Sequence, residues 1–343
     1  MSDFAFIQSS PGRIIAGRGP FRAAASRQKD AAAFFISDYF LSDPSPWKHP
    51  SHWQEMAVED LVEAHPAFTR PVIHWQTPDR RLFQSLFSSA HFSIEHEGLK
   101  KAVPVLFENG SFEGSPDALM AWLIGALRFL PPSLRAYGIV QGDAGMIGAS
   151  PEVLFEGAGQ GYRTAALAGT RPIDRAEELW SDPKERDEHR MVVEDIVLRL
   201  RSGLRVDIGS TEIARLPGLA HLFTPIEASA DGEVILFEEM VGRLHPTAAL
   251  GVFPRCEAGR RWLKESDRVE PRRQFGAPFG FQAPDDAAIC LVAIRNVQWA
   301  GQSIRIGSGG GVLAESIFEN ELAELKAKRD QVKSLFDLNG EGR

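Results

Sequence analysis

Short strands and helices alternate irregularly along this chain of 343 residues, and that irregularity is its strongest constraint on fold. A parallel sheet needs a crossover of a dozen or more residues between neighbouring strands, which gives a regular strand–helix beat. No such beat is present. From residue 92 onward, apolar and β-branched runs predict strands at 102–107 (AVPVLF), 137–142 (YGIVQG) and 152–157 (EVLFEG). Further strands are predicted at 233–239 (EVILFEE), 290–299 (CLVAIRNVQW) and 303–307 (SIRIG). Only two segments carry strong helical patterning, over about 183–202 and 317–336. The class expected is α+β (mixed α/β), with large antiparallel sheets and flanking helices. No repeat or linker divides the chain, so residues 1–343 read as a single domain. Its first 91 residues are the least patterned; they hold Trp47, Trp53 and Trp75 among scattered turn signals.

The first helix has a start signal in Asp182-Pro183-Lys184-Glu185: an N-cap, a proline at the first helical position and a Glu at the third. Met191, Val192, Ile196 and Leu200 form its apolar stripe, and Gly203 stops it. The second opens with Ser316-Ile317-Phe318-Glu319, a capping-box pattern. Its core face is expected to be Ile317, Phe318, Leu322, Leu325, Val332 and Phe336.

Charge narrows the function. With 38 basic and 46 acidic side chains the net charge is −8, against the basic face of a nucleic-acid binder. No apolar run approaches a membrane span, and the N-terminus lacks a signal-peptide pattern. Cys256 and Cys290 are the only cysteines, too few for a disulfide scaffold or a Cys-based zinc site. A cytoplasmic globular protein with no nucleic-acid or membrane partner is the expectation.

Each helix carries a Glu pair at i, i+3 near its start: Glu185 with Glu188, and Glu321 with Glu324. Four oxygen donors from two helices suit a hard cation such as Mg²⁺; the alternative is a pair of solvated helix faces favoured by the helix dipole. The glycines of GSGGGV (307–312) could bring backbone N–H groups up to a small carboxylate or phosphate, or simply make a tight turn. His189 and His221 are available as ligands or acid–base groups. No zincin, nucleophile-elbow or phosphate-loop motif is present.

Six segments in order resemble the chorismate-utilising enzymes of menaquinone, siderophore and tryptophan biosynthesis. They are GASPEVLF (148–155), ALAGTRP (166–172), KERDEHRMVV (184–193), LAHLFTPIEA (219–228), LHPTAALGVFP (244–254) and GSGGGVLAESIFENELAELKAK (307–328). FGAPFG (275–280) and VAIR (292–295) fit between the last two, so the match covers residues 92–336. The resemblance implies two packed antiparallel sheets with chorismate and Mg²⁺ between them. It implies Glu188 and Glu324 as direct metal ligands, and Glu185 and Glu321 as supporting ones through water. It also implies Arg295, Lys328 and the amides of Gly309, Gly310 and Gly311 as carboxylate binders, Thr170 with Gly169 near the C4 hydroxyl, and His221 beside the ring.

Within the family, the nucleophile separates the members. Isochorismate and salicylate synthases resemble one another in a strand lysine that activates water. GLKKAVPVLF places Lys101 there, with Lys100 as the other register, although Pro104 departs from the pattern. Ala168 stands where many aminodeoxychorismate synthases carry a nucleophilic Lys. The segment HPTAALG resembles the isochorismate synthases, with Ala249 and Leu250 lining the nucleophile side. Thr170-Arg171-Pro172, by contrast, resembles the amidotransferase-coupled members. The reading is an isochorismate synthase: water attacks C2, the C4 hydroxyl leaves, Lys101 is general base and Glu152 general acid, with His221 counted among the catalytic residues. The alternatives are an aminating synthase subunit with a glutaminase partner, a salicylate synthase, and a chorismate-binding relic without activity.

Overall fold

The computed structural model describes residues 3–339 except 68 and 233. Its strands form two large sheets and one two-stranded ribbon, with antiparallel pairing throughout the described residues. One sheet has nine strands. It runs from His52–Ala57 through Arg13–Arg18, Phe4–Ser10, Arg135–Gln141 and Ala144–Ser150 to Asn296–Ala300, Ser303–Gly309, Val105–Phe112 and Ile73–Trp75. The other has ten strands. Its central members are Leu219–Ser229, Gly161–Pro172, Val153–Ala158, Ala288–Val292, Pro278–Gln282 and Ala33–Ile36. Strands from the first 91 residues thus lie in both sheets.

Alternation along the strands explains the packing. Ala5, Ile7, Tyr137 and Ile139 of the nine-stranded sheet face Phe34, Ile36, Phe279, Phe281 and Leu291 of the other in one buried cluster. The opposite face of the nine-stranded sheet, with Phe6, Val140, Ile147 and Ile306, is covered by helix Pro116–Ala126 and by Val332 and Phe336 of the C-terminal segment. A second inter-sheet cluster joins Val105, Phe107, Phe155 and Phe237 to Val192 and Ile196 of helix Pro183–Leu200.

That helix follows its sequence signals. Asp182 accepts the Glu185 N–H at 3.1 Å, Pro183 takes the first helical position, and Met191, Val192, Ile196 and Leu200 are buried. The last helix, Phe318–Leu335, departs from its predicted cap. Its N-cap is Ile317, exposed to 60%, while the Ser316 hydroxyl accepts the Leu313 N–H and donates to Glu321. Ser316 is thus held by the preceding loop and by a buried carboxylate.

Three strand expectations need correction. In AVPVLF, Pro104 has no N–H to give to a ladder and falls between Lys101–Ala102 and Val105–Phe112. Lys101–Ala102 leaves the sheet to pair with Val252–Phe253, and Ala102 bridges to Val312. CLVAIRNVQW is two strands in different sheets, Ala288–Val292 and Asn296–Ala300; the crossover holds Arg295 at φ 54°. EVILFEE is no strand over 234–239: a helix, Phe237–Leu244, begins inside it, and Glu233 lies outside the described residues. Phe237, Met240, Val241 and Leu244 are buried at helical spacing while Val234 and Leu236 are exposed, so the 3.6 period prevails over the alternating one. No helix of the described residues is long and apolar enough to cross a membrane.

Candidate active site

A cavity opens where both sheets meet the starts of the two glutamate-bearing helices. It is lined by Glu152, Ala168, Gly169, Thr170, Glu188, His221, Ala249, Leu250, Phe275, Arg295, Gly309, Gly311 and Lys328. Residues scattered over 177 positions of sequence therefore come together.

Glu152 stands at a tight corner between two strands. The Ser150 hydroxyl accepts the Glu152 N–H at 3.1 Å and donates to Val292 O at 2.7 Å, and Val292 N–H donates to Glu152 O at 3.0 Å. Burial pushes the carboxyl up to about 7, although Lys101, a long contact with Thr247, Lys328 and Arg295 oppose the shift. A carboxyl with that value is substantially protonated at neutral pH, as a general acid must be.

Thr170 and His221 are cross-strand partners. The register slips at Gly169, whose φ of 75° suits glycine and whose added Cβ would lie 2.8 Å from Glu185 O. His221 Nδ1 lies 3.2 Å from Gly169 O and 3.1 Å from Thr170 Oγ1, while Nε2 has no partner. Burial, reinforced by Lys328 and Arg295, lowers the ring to about 3. His221 is therefore a neutral hydrogen-bonding ring beside the cavity.

Lys101 is the residue that points inward, and Lys100 is exposed. Lys101 Nζ lies 2.9 Å from Glu188 Oε1 with the side chain fully enclosed. It stands behind Glu188 and against Gly311, where an added Cβ would come within 2.2 Å of Glu188 Oε1 and 2.7 Å of Lys101 Cε. A side chain there would have to displace the Glu188–Lys101 pair.

The four glutamates lie near enough for like charge to act among them, and each is held by a cation. Lys184 reaches Glu321 at 2.8 Å and Glu185 at 3.4 Å, Lys328 reaches Glu324 at 2.6 Å, and Arg171 holds Glu185 at 2.8 Å. Glu185 also accepts the Thr170 N–H at 2.6 Å, which ties the helix to the strand. Burial, then the charge of Glu188, raises Glu185 to about 7, and burial with Glu324 raises Glu321. Burial would raise Glu188 too, but Lys101 and Lys184 outweigh it and bring it down to about 2.

Does this donor set suit a divalent cation? Among the described residues, no three acidic, His or Cys side chains converge as they stand. Yet the donors are hard oxygens, two of them held back from ionising by burial and like charge, and the buried Glu321 Oε2 has no partner. A carboxylate oxygen left unpaired in a crowd of carboxylates fits a cation.

On the far side, Arg295 is half-buried; the desolvation it suffers lowers it to about 10, which leaves it a cation at neutral pH. Lys328 donates to Gly309 O at 2.9 Å. The expected amide cradle needs one correction. The Gly310 N–H faces Pro104 O at 3.4 Å and its added Cβ would lie 2.6 Å from Leu325 Cδ1, so Gly310 serves helix packing, while Gly309 and Gly311 reach the cavity.

Sequence reasoning passed over Lys184 and Arg171 as contacts of the glutamates, although both lie inside recognised motifs. It gave no hint of Tyr39 or Arg272, which brace Leu250 from outside every motif. His189, left open as a ligand, bonds Thr224 Oγ1 at 2.7 Å.

A family model described as chorismate binding enzyme matches residues 45–336. Among curated proteins, isochorismate synthase MenF of Escherichia coli K12 is 28% identical over 82% of this chain and 66% of its own length. Isochorismate synthase EntC of the same strain is 25% identical over 86% and 78%. Anthranilate synthase component 1 of Methanothermobacter marburgensis is 28% identical over 63% of this chain and 49% of its own length. The chain thus spans from about half to about four-fifths of these relatives. In fold it is similar to a structure titled as a 2,3-dihydroxybenzoate-specific isochorismate synthase, DhbC, from Bacillus anthracis (TM-score 0.82, 23% identity, 98% of this chain and 96% of that one). It is also similar to Escherichia coli MenF (TM-score 0.80, 21% identity, 98% and 89%). The family model spans most of the chain and includes every residue of the cavity, so this protein belongs to the chorismate-binding enzymes.

Proposed function

We propose that the protein converts chorismate to isochorismate in a Mg²⁺-dependent reaction, with water adding at C2 as the C4 hydroxyl departs. The observation that carries this reading is Glu152, which lines the cavity and which burial keeps protonatable near neutrality, with the enclosed Lys101 amine standing behind Glu188 of the same wall. Glu152 donates its proton to the leaving hydroxyl. Lys101, paired with Glu188 as an ammonium, must first release its own proton to solvent; as the neutral amine it then takes the proton of the incoming water. Arg295 and Lys328 bind the substrate carboxylates, Arg295 with the planar fork suited to them. Thr170 and the neutral His221 hydrogen-bond at the ring, with the unpartnered Nε2 available as an acceptor. Glu188 and Glu324, supported by Glu185 and Glu321, would hold Mg²⁺, which supplies positive charge for a substrate carboxylate.

Amination is the second reading, and relatives named anthranilate synthase component 1 keep it in view. Two observations favour water. Ala168 lines the cavity without an amine, which counts against amination through a lysine at that position. Arg171, the residue resembling the amidotransferase-coupled members, is occupied with Glu185 and Asp182, a structural task independent of the nucleophile.

Incubation of purified protein with chorismate and Mg²⁺, with and without ammonium and beside an EDTA control, tests the reading by liquid chromatography with mass detection. The expected result is a new isomer of chorismate, formed without ammonium and lost with EDTA. An aminated product appearing only with ammonium would overturn it, and fluorescent salicylate would redirect it to a salicylate synthase.

A further inference from the structure

Arg272 is 1% exposed, and among the described residues it makes no ion pair. Burying a guanidinium is unfavourable unless its donors are well placed, so the groups it meets are informative. Its Nη1 donates to Leu250 O at 2.8 Å and its Nη2 to Val103 O at 2.6 Å. The guanidinium lies 4.4 Å over the Tyr39 ring. The Tyr39 hydroxyl donates to the same Leu250 O at 2.8 Å, and His245 Nε2 donates to Tyr39 O at 2.7 Å. Asp267 accepts the backbone N–H of Arg272 at 2.8 Å, which fixes the loop that carries it.

The two carbonyls belong to the segments on either side of Lys101. Val103 follows it by two residues, and Leu250 lines the cavity wall. Backbone bonds already join these segments, Val103 N–H to Gly251 O at 3.1 Å and Lys100 N–H to Phe253 O at 2.7 Å. Arg272 closes the remaining side with two charge-assisted bonds.

We propose that Arg272, seated on Tyr39, is a positioning residue: it sets the spacing between the Lys101 strand and the Ala249–Leu250 turn, and so the path by which the nucleophile reaches the ring. The proposal rests on the reading of Lys101 as base. It assigns the N-terminal segment a part in the chemistry through Tyr39, with no contact to substrate.

Arg272→Met, Arg272→Lys and Tyr39→Phe test it, each by kcat, KM for chorismate and thermal midpoint. A misplacement of about 1 Å at reacting groups costs on the order of 100-fold, so Arg272→Met should lower kcat by about that factor. KM should stay within about twofold, because Arg295 and Lys328 are untouched. Arg272→Lys should recover part of the loss, and Tyr39→Phe, missing one hydroxyl, should lower kcat about fivefold with its thermal midpoint little changed. If Arg272→Met does not fold, Tyr39→Phe decides. Wild-type kcat in a folded Arg272→Met, wild-type kcat in Tyr39→Phe where Arg272→Met does not fold, or a rise in KM at unchanged kcat, would overturn the proposal. If the wild type yields an aminated product, the water reading falls, and the same kcat ratios measured on that product still decide the role of Arg272.

Discussion

Replacing Lys101 by Met will lower kcat for chorismate by about 10³-fold, within the range for loss of a general base. Methionine keeps the buried alkyl stem and removes only the amine, so the cavity keeps its shape. The effect will fall on kcat, because on the proposed reading Arg295, Lys328 and the amides of Gly309 and Gly311 bind substrate without Lys101; calorimetry will still register Mg²⁺-dependent chorismate binding. The thermal midpoint will also fall, since Glu188 loses the cation that holds it well below the ordinary carboxylate range. Near-native turnover in this variant would remove Lys101 from the chemistry.

Glu152→Gln will lower kcat on the same scale and change two pH profiles. In the wild type, kcat/KM will decline as pH rises through about 7, because the acid loses the proton it must donate. In the Gln variant that limb will vanish from the residual activity. Stability will move the other way. The folded value of about 7 lies above the ordinary carboxyl value of 4.5, so the folded chain binds more protons between them. The contribution to stability is present in full below 4.5 and is lost as pH rises through 7, on the order of 3 kcal/mol in all. Glutamine is neutral at every pH. The variant should therefore match wild type in melting experiments at pH 4 and exceed it at pH 9. A basic limb that survives in Glu152→Gln would place the acid elsewhere.

The legible parts of the sequence were those in which local chemistry and tertiary outcome agree. The Pro183–Leu200 helix declared its cap, its proline and its apolar stripe within twenty residues, and the structure uses all three. The glutamate spacing marked one helix face before any partner was known. Failures came where a distant segment decided the outcome. CLVAIRNVQW reads as one apolar strand, because nothing local shows that the chain changes sheets at Arg295. The β-branched residues of EVILFEE imitate a strand, while burial of Phe237, Met240, Val241 and Leu244 against other elements selects a helix. Ser316 fits a capping box, but its hydroxyl is drawn to Leu313 and Glu321. Tyr39 and Arg272 were invisible for a related reason. Each acts on main-chain carbonyls, which carry no side-chain signature, and they lie more than two hundred residues apart in sequence.

The central claim is that water, activated at the Lys101 side of the ring, supplies the new hydroxyl. Turnover of chorismate in H₂¹⁸O tests it most directly. One ¹⁸O atom in the isochorismate formed, a mass increase of about 2 Da retained at C2 on fragmentation, is the result predicted. An unlabelled isomer would show that the C4 hydroxyl is transferred within the substrate, and it would contradict the roles given to Lys101 and Glu152.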